Sequence, residues 1–337
     1  MRLTPGISFN IPEAALRVAE YVSLAEKEGF EGTAFLTDSQ LIWRDVYVCF
    51  TLALQKTSRL RIGTGVTNPI TRDPTATAGA VATLDELAPG RVILGMGVGD
   101  SAVNTLYRPP ASLEELRKAV LLIQALLRGE EVMVEGNRLR LPWGKRRVPV
   151  YIASTGPRSL QLAGEVGDGA IINVGADPAL INWALDHLKI GVQKAGRSLS
   201  DLDIWVRVTC APDEDAERAK TMVKGAAATK ANGLARYAKD ESFRAHLSKE
   251  LIQDLEELAR GYDYYEHERR DAKHTIYVSD RIIQDLVIAG PPPYCVSRIE
   301  EILKQTKLSQ LSFATYGFPD IPGFIKKFIG QVASPLR

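Results

Sequence analysis

An α/β fold, a closed (β/α)8 TIM barrel with an insertion between its seventh and eighth strands, is what this sequence of 337 residues predicts. Three observations lead there. Short apolar runs alternate with amphipathic runs of helical period along most of the chain. Eight of the apolar runs have strand length, and eight strands separated by helices fit a closed barrel better than an open doubly wound sheet. Only residues 226–274, polar, helical in period and rich in Tyr, Glu and Arg, break the alternation. Residues 1–337 are therefore read as one domain, with 226–274 a helical insertion within it, a lid or substrate loop.

The elements follow in order. Gly6 to Asn10 reads as the first strand. Pro12 to Glu28 reads as a helix with Ala15, Val18, Ala19, Val22 and Ala25 on one face, stopped by Gly29. GTAFLTD is the second strand, and Asp45 to Lys56 its helix. LRIGTGV is the third strand, and Asp73-Pro74 opens a helix to about Leu87, with Pro where a missing N–H costs nothing. RVILGMG is the fourth strand, and a loop of about fifteen residues separates it from the helix Ser112 to Arg128. Gly129 to Pro149 reads as a hairpin turning at Glu135-Gly136-Asn137. VYIAS, DGAIINV and DIWVRVTCA are strands five to seven, with helices at GPRSLQLAGEVG, at Pro178 to Ala195 and from about Asp213. A helix Ser279 to Ala289, a turn GPPPY, a helix Val296 to Lys307, the eighth strand QLSFATYG and a helix Gly323 to Ile329 complete the chain.

Composition removes several functions. Lys and Arg number 42 against 41 acidic residues, so a net charge of +1 gives no field to draw nucleic acid or another polyanion. Cys49, Cys210 and Cys295 are odd in number and far apart, which offers neither a disulfide framework nor metal spacing. The N-terminus lacks a basic and apolar leader, and no run approaches eighteen apolar residues. A cytoplasmic protein with no membrane contact is expected.

In such a barrel the reactive face lies at the carboxyl ends of the strands. Standing there are Ser8 and Asn10, Thr37-Asp38-Ser39, the corner IGTGVTNP (Ile62 to Pro69), GMGVGDS, ASTGPRS, Asn173, Thr209 and Tyr316-Gly317. Glycine weakens a strand unless the backbone bends there or something approaches it closely, so the corner reads as a turn or a ligand-facing ridge. LGMGVGDS fails the GxGxxG spacing of a dinucleotide fingerprint and has no helix immediately after it. ASTGPRS leads a strand directly into a helix, where hydroxyls and free N–H groups suit an anion, with Ser154 or Thr155 able to cap the helix. The four histidines show no metal spacing, and Ser154 lies in no GxSxG elbow. EHERRDAK reads as a solvated helix face. The four tryptophans read as core or rim packing.

Together RIGTGVTNPITRDP, ATLDELAPGRVILGMGVGD and ASTGPRSLQLAGEVGDGAIIN resemble the bacterial luciferase-like superfamily of flavin- and F420-dependent oxidoreductases, and within it the methylenetetrahydromethanopterin reductase-like branch. The likeness spans roughly residues 3 to 210 and returns at AGPPP and the last strand. It implies F420 or FMN as cofactor, with a lean to F420, and a non-prolyl cis peptide at Gly65-Val66 packed against the ring. It places Asp38 at the ring edge, Gly97, Gly99 and Asp100 along the cofactor's side chain, and Thr155, Gly156, Arg158 and Ser159 on its phosphate. Ser8, Asn68, Ser154 and Asn173 join the cofactor-binding set, and Asp38 and Ser39 are the expected catalytic residues, Asp38 as an acid of raised pKa.

Two departures stand out. The first strand reads Gly6-Ile7-Ser8-Phe9 where methanogen reductases have a Glu, and their Asp-His motif is here Asp38-Ser39-Gln40. The expected activity is hydride exchange between the reduced (deaza)flavin and a small organic substrate. The alternatives are an FMNH2/O2-dependent monooxygenase served by a separate reductase, and a catalytically silent flavin-binding protein. The resemblance also implies a homodimer, for which the apolar helix 45–56 is a candidate.

Overall fold

A computed structural model describes residues 2–10, 13–267 and 269–337. Eight parallel strands close on themselves: β1 (Thr4–Phe9), β2 (Thr33–Leu36), β3 (Arg61–Thr64), β4 (Val92–Met96), β7 (Val150–Ser154), β8 (Gly169–Ile172), the first half of β9 (Asp203–Pro212) and β11 (Gln310–Ala314), which pairs back onto β1. This is the predicted TIM barrel. Strands β5 (Val132–Val134) and β6 (Asn137–Leu139) form the expected hairpin, turning through Glu135 and Gly136 at φ 49° and 79°.

One strand departs from expectation. The helix predicted to reach Ala289 ends at Leu286, and β10 (Ile288–Gly290) pairs with the second half of β9, where it leaves the barrel wall. GPPPY is no turn: Pro292 and Pro293 open the helix Pro292–Thr306, because first-turn N–H groups have no acceptor within the helix.

The barrel interior is filled by Phe35, Ile93, Tyr151, Ile171 and Trp205. Trp205 explains two glycines: a Cβ at Gly6 would lie 2.5 Å from its Cζ3, and one at Gly32 2.2 Å from its Cη2. Below this layer Asp203 accepts from Arg61 Nη1 (2.7 Å), from the Tyr151 hydroxyl and from Gln310 Nε2 (2.5 Å), closing the amino-terminal end. The opposite end is left for ligands.

The helices begin where acidic and hydroxyl caps stand. Asp45, Asp73, Asp177 and Asp215 each accept from first-turn N–H groups, and Ser112 forms a capping box with Glu115. The expected start of the insertion, residue 226, falls inside one continuous helix, Ala216–Ala235. Beyond it come the helices Glu241–Arg244 and Lys249–Arg260 and two 3-10 turns, Tyr264–Glu266 and Lys273–Tyr277. Helix Lys249–Arg260 turns Leu251, Ile252, Leu255 and Leu258 inward and packs on Ala216–Ala235. EHERRDAK is therefore not a solvated helix face: Arg269, Arg270 and Asp271 are exposed, but His267 is buried, and Glu268 lies outside the described residues. No helix among the described residues is long and apolar enough to cross a membrane.

Candidate active site

At the carboxyl ends of the strands lies a cavity of about 800 Å³. Its floor begins at the glycine corner. After β3 the Gly65 N–H donates to the Leu36 carbonyl (2.6 Å), Thr67 N–H to Gly95 (3.0 Å), and Gly97 N–H to Thr67 (2.9 Å). The chain thus lies across the ends of β2 and β4, and the bond Gly65–Val66 is cis. Close approach fixes these residues as glycine: a Cβ on Gly65 would sit 2.7 Å from Phe35 Cβ, and one on Gly95 2.1 Å from the Thr64 carbonyl oxygen. Val66, Ala153 and Ile171 form an apolar platform over the barrel's interior layer. At its edge Arg207 donates from Nη2 to the Gly65 carbonyl (2.8 Å). The Arg207 Nε is buried with no hydrogen-bond partner among the described residues.

Asp38 and Ser39 line the same cavity. Both Asp38 oxygens accept from Arg72, at 2.7 and 3.0 Å, and Arg72 also donates to Asp45 at 2.9 Å. Its hydrogen bonds to Asp38 raise the Arg72 guanidinium above its ordinary value. Asp38 therefore ties the loop after β2 to the loop after β3. Ser39 Oγ shares a hydrogen bond of 2.5 Å with Ser101 Oγ, and Gln40 Nε2 donates to the Ala102 carbonyl (2.8 Å). Asn68 lines the cavity but spends its side chain on its own turn, accepting from the N–H groups of Ile70 and Thr71 and donating to Thr71 Oγ1. Ser8 does not reach the cavity. On β1 it stands two residues beyond Gly6, on the face that meets Trp205, and pairs with Ser312 Oγ at 2.7 Å.

The glycine loop after β4 and the ASTGPRS turn make the polar side. Gly99 has φ 99°, and Asp100 then accepts from Arg236 (2.8 Å), which also donates to the Tyr264 hydroxyl (2.6 Å). A single helical turn, Ser101–Asn104, follows the loop directly, where the sequence predicted none. Gly97, Gly99, Asp100, Ser154, Thr155, Gly156, Arg158, Ser159 and Asn173 all border the cavity. The N-cap of helix Pro157–Val166 is Gly156, so neither Ser154 nor Thr155 caps it. Ser154 Oγ donates instead to the Ser159 carbonyl (2.9 Å), and Ser159 Oγ donates to the Gly156 carbonyl (2.9 Å). The Tyr237 ring covers Gly156 so closely that a Cβ there would meet its Cε1 at 2.1 Å. Asn173 Oδ1 accepts from the buried Lys230 Nζ (2.7 Å), which also donates to the Arg207 carbonyl (3.2 Å).

Sequence reasoning missed Arg207, Lys230, Arg236, Tyr237 and His267. The last three reach the cavity from the helix Ala216–Ala235 and the segment behind it. Tyr262 shares hydrogen bonds of 2.7 Å with His267 Nδ1 and with Thr229 Oγ1, and Trp43 stands 6.1 Å from the imidazole, centroid to centroid. Burial pushes His267 below its ordinary value. Among the described residues no group of three or more His, Cys, Asp and Glu side chains could hold a metal ion.

A flat heterocycle with a polar rim and an anionic tail fits this donor set. The platform is apolar, the buried Nε–H of Arg207 lacks an acceptor, and a helix N-terminus with the exposed Arg158 lies at one end. Comparisons with known proteins point the same way. The family model for luciferase-like monooxygenases matches residues 4–310. A 5,10-methylenetetrahydromethanopterin reductase of Methanolobus tindarius is 31% identical over 316 residues, 89% of this chain and 91% of that protein. An F420-dependent glucose-6-phosphate dehydrogenase of Beutenbergia cavernae is 35% identical over 224 residues, 59% of this chain and 65% of that one. The structure of the coenzyme F420-dependent tetrahydromethanopterin reductase from Methanopyrus kandleri superposes over all of both chains with a TM-score of 0.79 at 24% identity.

Proposed function

The chain belongs to the luciferase-like monooxygenase family and is an oxidoreductase, and from that premise we propose that it uses the deazaflavin F420 to exchange hydride with a small organic substrate. The observation that carries this reading is the platform of Val66, Ala153 and Ile171 with the unsatisfied Arg207 Nε–H at its edge. When bound, F420 supplies or accepts the hydride; the protein contributes orientation and a dry pocket.

The named residues take roles in that pocket. Val66, Ala153 and Ile171 carry the ring, and Gly65 holds the ridge beside it through its contact with Arg207. Gly97, Gly99 and Asp100 border the polar side chain, while Thr155, Gly156, Arg158 and Ser159 hold the anionic tail by hydroxyl, N–H and guanidinium donors. The Asp38–Arg72 pair fixes the loops flanking the ring. The stretch 236–279 acts as a lid, latched at Arg236 to Asp100. A homodimer belongs to the same reading, with helix Val46–Lys56, where Val48 is 55% exposed, as its contact face.

Adding F420 and FMN separately to purified protein tests the cofactor. Quenching should give an F420 Kd at least about tenfold below that for FMN, a difference of about 1.4 kcal/mol. FMN binding more tightly, together with oxygen uptake from reduced FMN and substrate, would place the chain among the monooxygenases instead. Bound cofactor without turnover on any carbonyl, imine or alkene would make it a silent binder.

A further inference from the structure

We propose that Arg207, the half-buried cation beside the Gly65 ridge, is the counter-charge for an anionic ring, so that the cavity takes a deazaflavin with its ring hydroxyl ionised in preference to the neutral ring of FMN; this rests on the deazaflavin reading above.

The charges around the cavity leave this one without an acid. Asp38 has both oxygens on Arg72, and Asp100 is paired with Arg236. Asp240 is spent on its own helix, accepting from Phe243 N–H (3.1 Å) and Ser242 Oγ (2.6 Å). Arg158 and Lys239 are exposed, where water and salt screen them. Arg207 stands on β9, half-buried, and no carboxylate among the described residues pairs with it. Its Nη2 goes to a neutral acceptor, the Gly65 carbonyl, and its guanidinium lies 5.8 Å from the Tyr316 ring centroid. Lys230, whose Nζ donates to Asn173 and to the Arg207 carbonyl, is itself a cation and offers the guanidinium no acceptor. His267 is no anion either: burial first, and Arg207 in part, hold it below its ordinary value. Burial pushes the Tyr237 phenol upward, so it stays neutral. A guanidinium drawn out of water without a counter-ion is costly, and an anionic ligand removes that cost.

The polar atoms beside it ask for the same partner. The buried Arg207 Nε–H has no acceptor, and Thr67 Oγ1, two residues along the ridge from Gly65, is buried without a partner. Both residues border the cavity. An ionised hydroxyl only accepts, whereas a neutral one must also donate. In the oxidised deazaflavin the ring hydroxyl is conjugated with the pyrimidine carbonyl, so its negative charge spreads over the flat ring. FMN carries a methyl group in its place. An opposite charge within about 4–6 Å lowers the midpoint of such an acid by about 1–3 pH units. On binding, the hydroxyl proton leaves to water and the anion stays beside Arg207. Because the bound hydroxyl then titrates below the free one, the F420 Kd should fall as pH rises from the bound midpoint to the free midpoint and stay level above it.

The test titrates the ring of oxidised F420 by its visible absorbance, free and bound to saturating full chain, between about pH 5 and pH 8. The bound midpoint is expected at least about one unit below the free one, matching a Kd that falls about tenfold across that interval. Arg207→Lys, which keeps the charge, should retain most of the shift. Arg207→Met should return the midpoint to within about 0.3 unit of free F420 and bring the F420 and FMN Kd values within about threefold of each other. Arg158→Met should weaken binding and leave the midpoint where the parent has it. If Arg207→Met does not fold, the parent is tested with F420 methylated on the ring hydroxyl, which cannot ionise: it should bind about tenfold more weakly than F420 at pH 8, with a Kd that does not change with pH. A bound midpoint at or above the free one, the parental midpoint in Arg207→Met, or equal affinity for the methylated ring overturns the proposal and leaves the cofactor reading intact. Failure of F420 to bind the parent protein overturns both.

Discussion

Replacing Asp38 by Asn separates a positioning carboxylate from a proton donor. The side chain of Asp38 is 2% exposed and receives two charge-assisted hydrogen bonds from Arg72. Breaking a fully buried pair costs about 3–5 kcal/mol, chiefly because the abandoned charge is stranded. Here it is not stranded. Arg72 keeps Asp45 at 2.9 Å, lies 4.8 Å over the Tyr47 ring, and its side chain is 22% exposed. Asparagine also keeps one carbonyl acceptor, so the loss reduces to one charge-assisted bond, about 2 kcal/mol. With a urea slope near 3 kcal/mol/M, the upper end for single domains, the unfolding midpoint should fall by about 0.7 M. F420 affinity should weaken by less than about threefold and kcat by less than about tenfold, because the loops loosen without losing a reacting group. Unchanged stability with kcat reduced about a thousandfold would refute this reasoning and make Asp38 the acid of the reaction.

Gly156→Ala places a Cβ 2.1 Å from Tyr237 Cε1 and should cost about 1–3 kcal/mol in thermal or urea unfolding, most of it recovered in the double variant with Tyr237→Ala. No recovery would locate the strain elsewhere. Arg207→Met removes the 2.8 Å bond to the Gly65 carbonyl and should lower F420 affinity about tenfold or more by quenching, while Ser8→Ala, whose hydroxyl is spent on Ser312, should leave it unchanged. Burial holds His187, His267 and His274 below the ordinary imidazole value, so the unfolded chain binds protons that the folded one refuses below about pH 6.5. The urea midpoint should therefore fall between pH 7 and pH 5, and His187→Gln should flatten that slope. A second loss is expected below about pH 4, where Glu26 and Asp203 protonate. Burial pushes both upward, but backbone N–H groups of Leu60, Ser58 and Arg59 bring Glu26 below its ordinary value, and the Tyr151 and Arg61 contacts do the same for Asp203.

Much of the barrel was legible because its information is local. Apolar runs bounded by Gly, Pro and Asx residues mark all eight barrel strands, and Asp73-Pro74 marks its helix start to the residue. β10 escaped because three residues, Ile288–Gly290, carry no periodicity and the prolines behind them read as a turn. The glycines of this region were legible for the same local reason, since a Cβ on Gly65 or Gly95 would meet its neighbours below 3 Å. Side-chain assignments at the strand ends fared unevenly: alternation does not say whether Ser8 faces the cavity or Ser312, nor that Asn68 closes its own turn. Arg207, Tyr237 and His267 reach the site across separations no local pattern encodes, the bond from Arg207 to Gly65 spanning 142 positions. The polar composition of 226–274 announced an excursion. It did not show that His267 within it borders the cavity.

A crystal structure of the protein with F420 tests the central claim most directly. The account predicts the ring in van der Waals contact, within about 4 Å, of Val66 and Ile171, with the anionic tail on the amides and guanidinium of residues 155–159. A ring bound away from the Val66 platform, or a tail directed toward the Asp38–Arg72 pair, would contradict it.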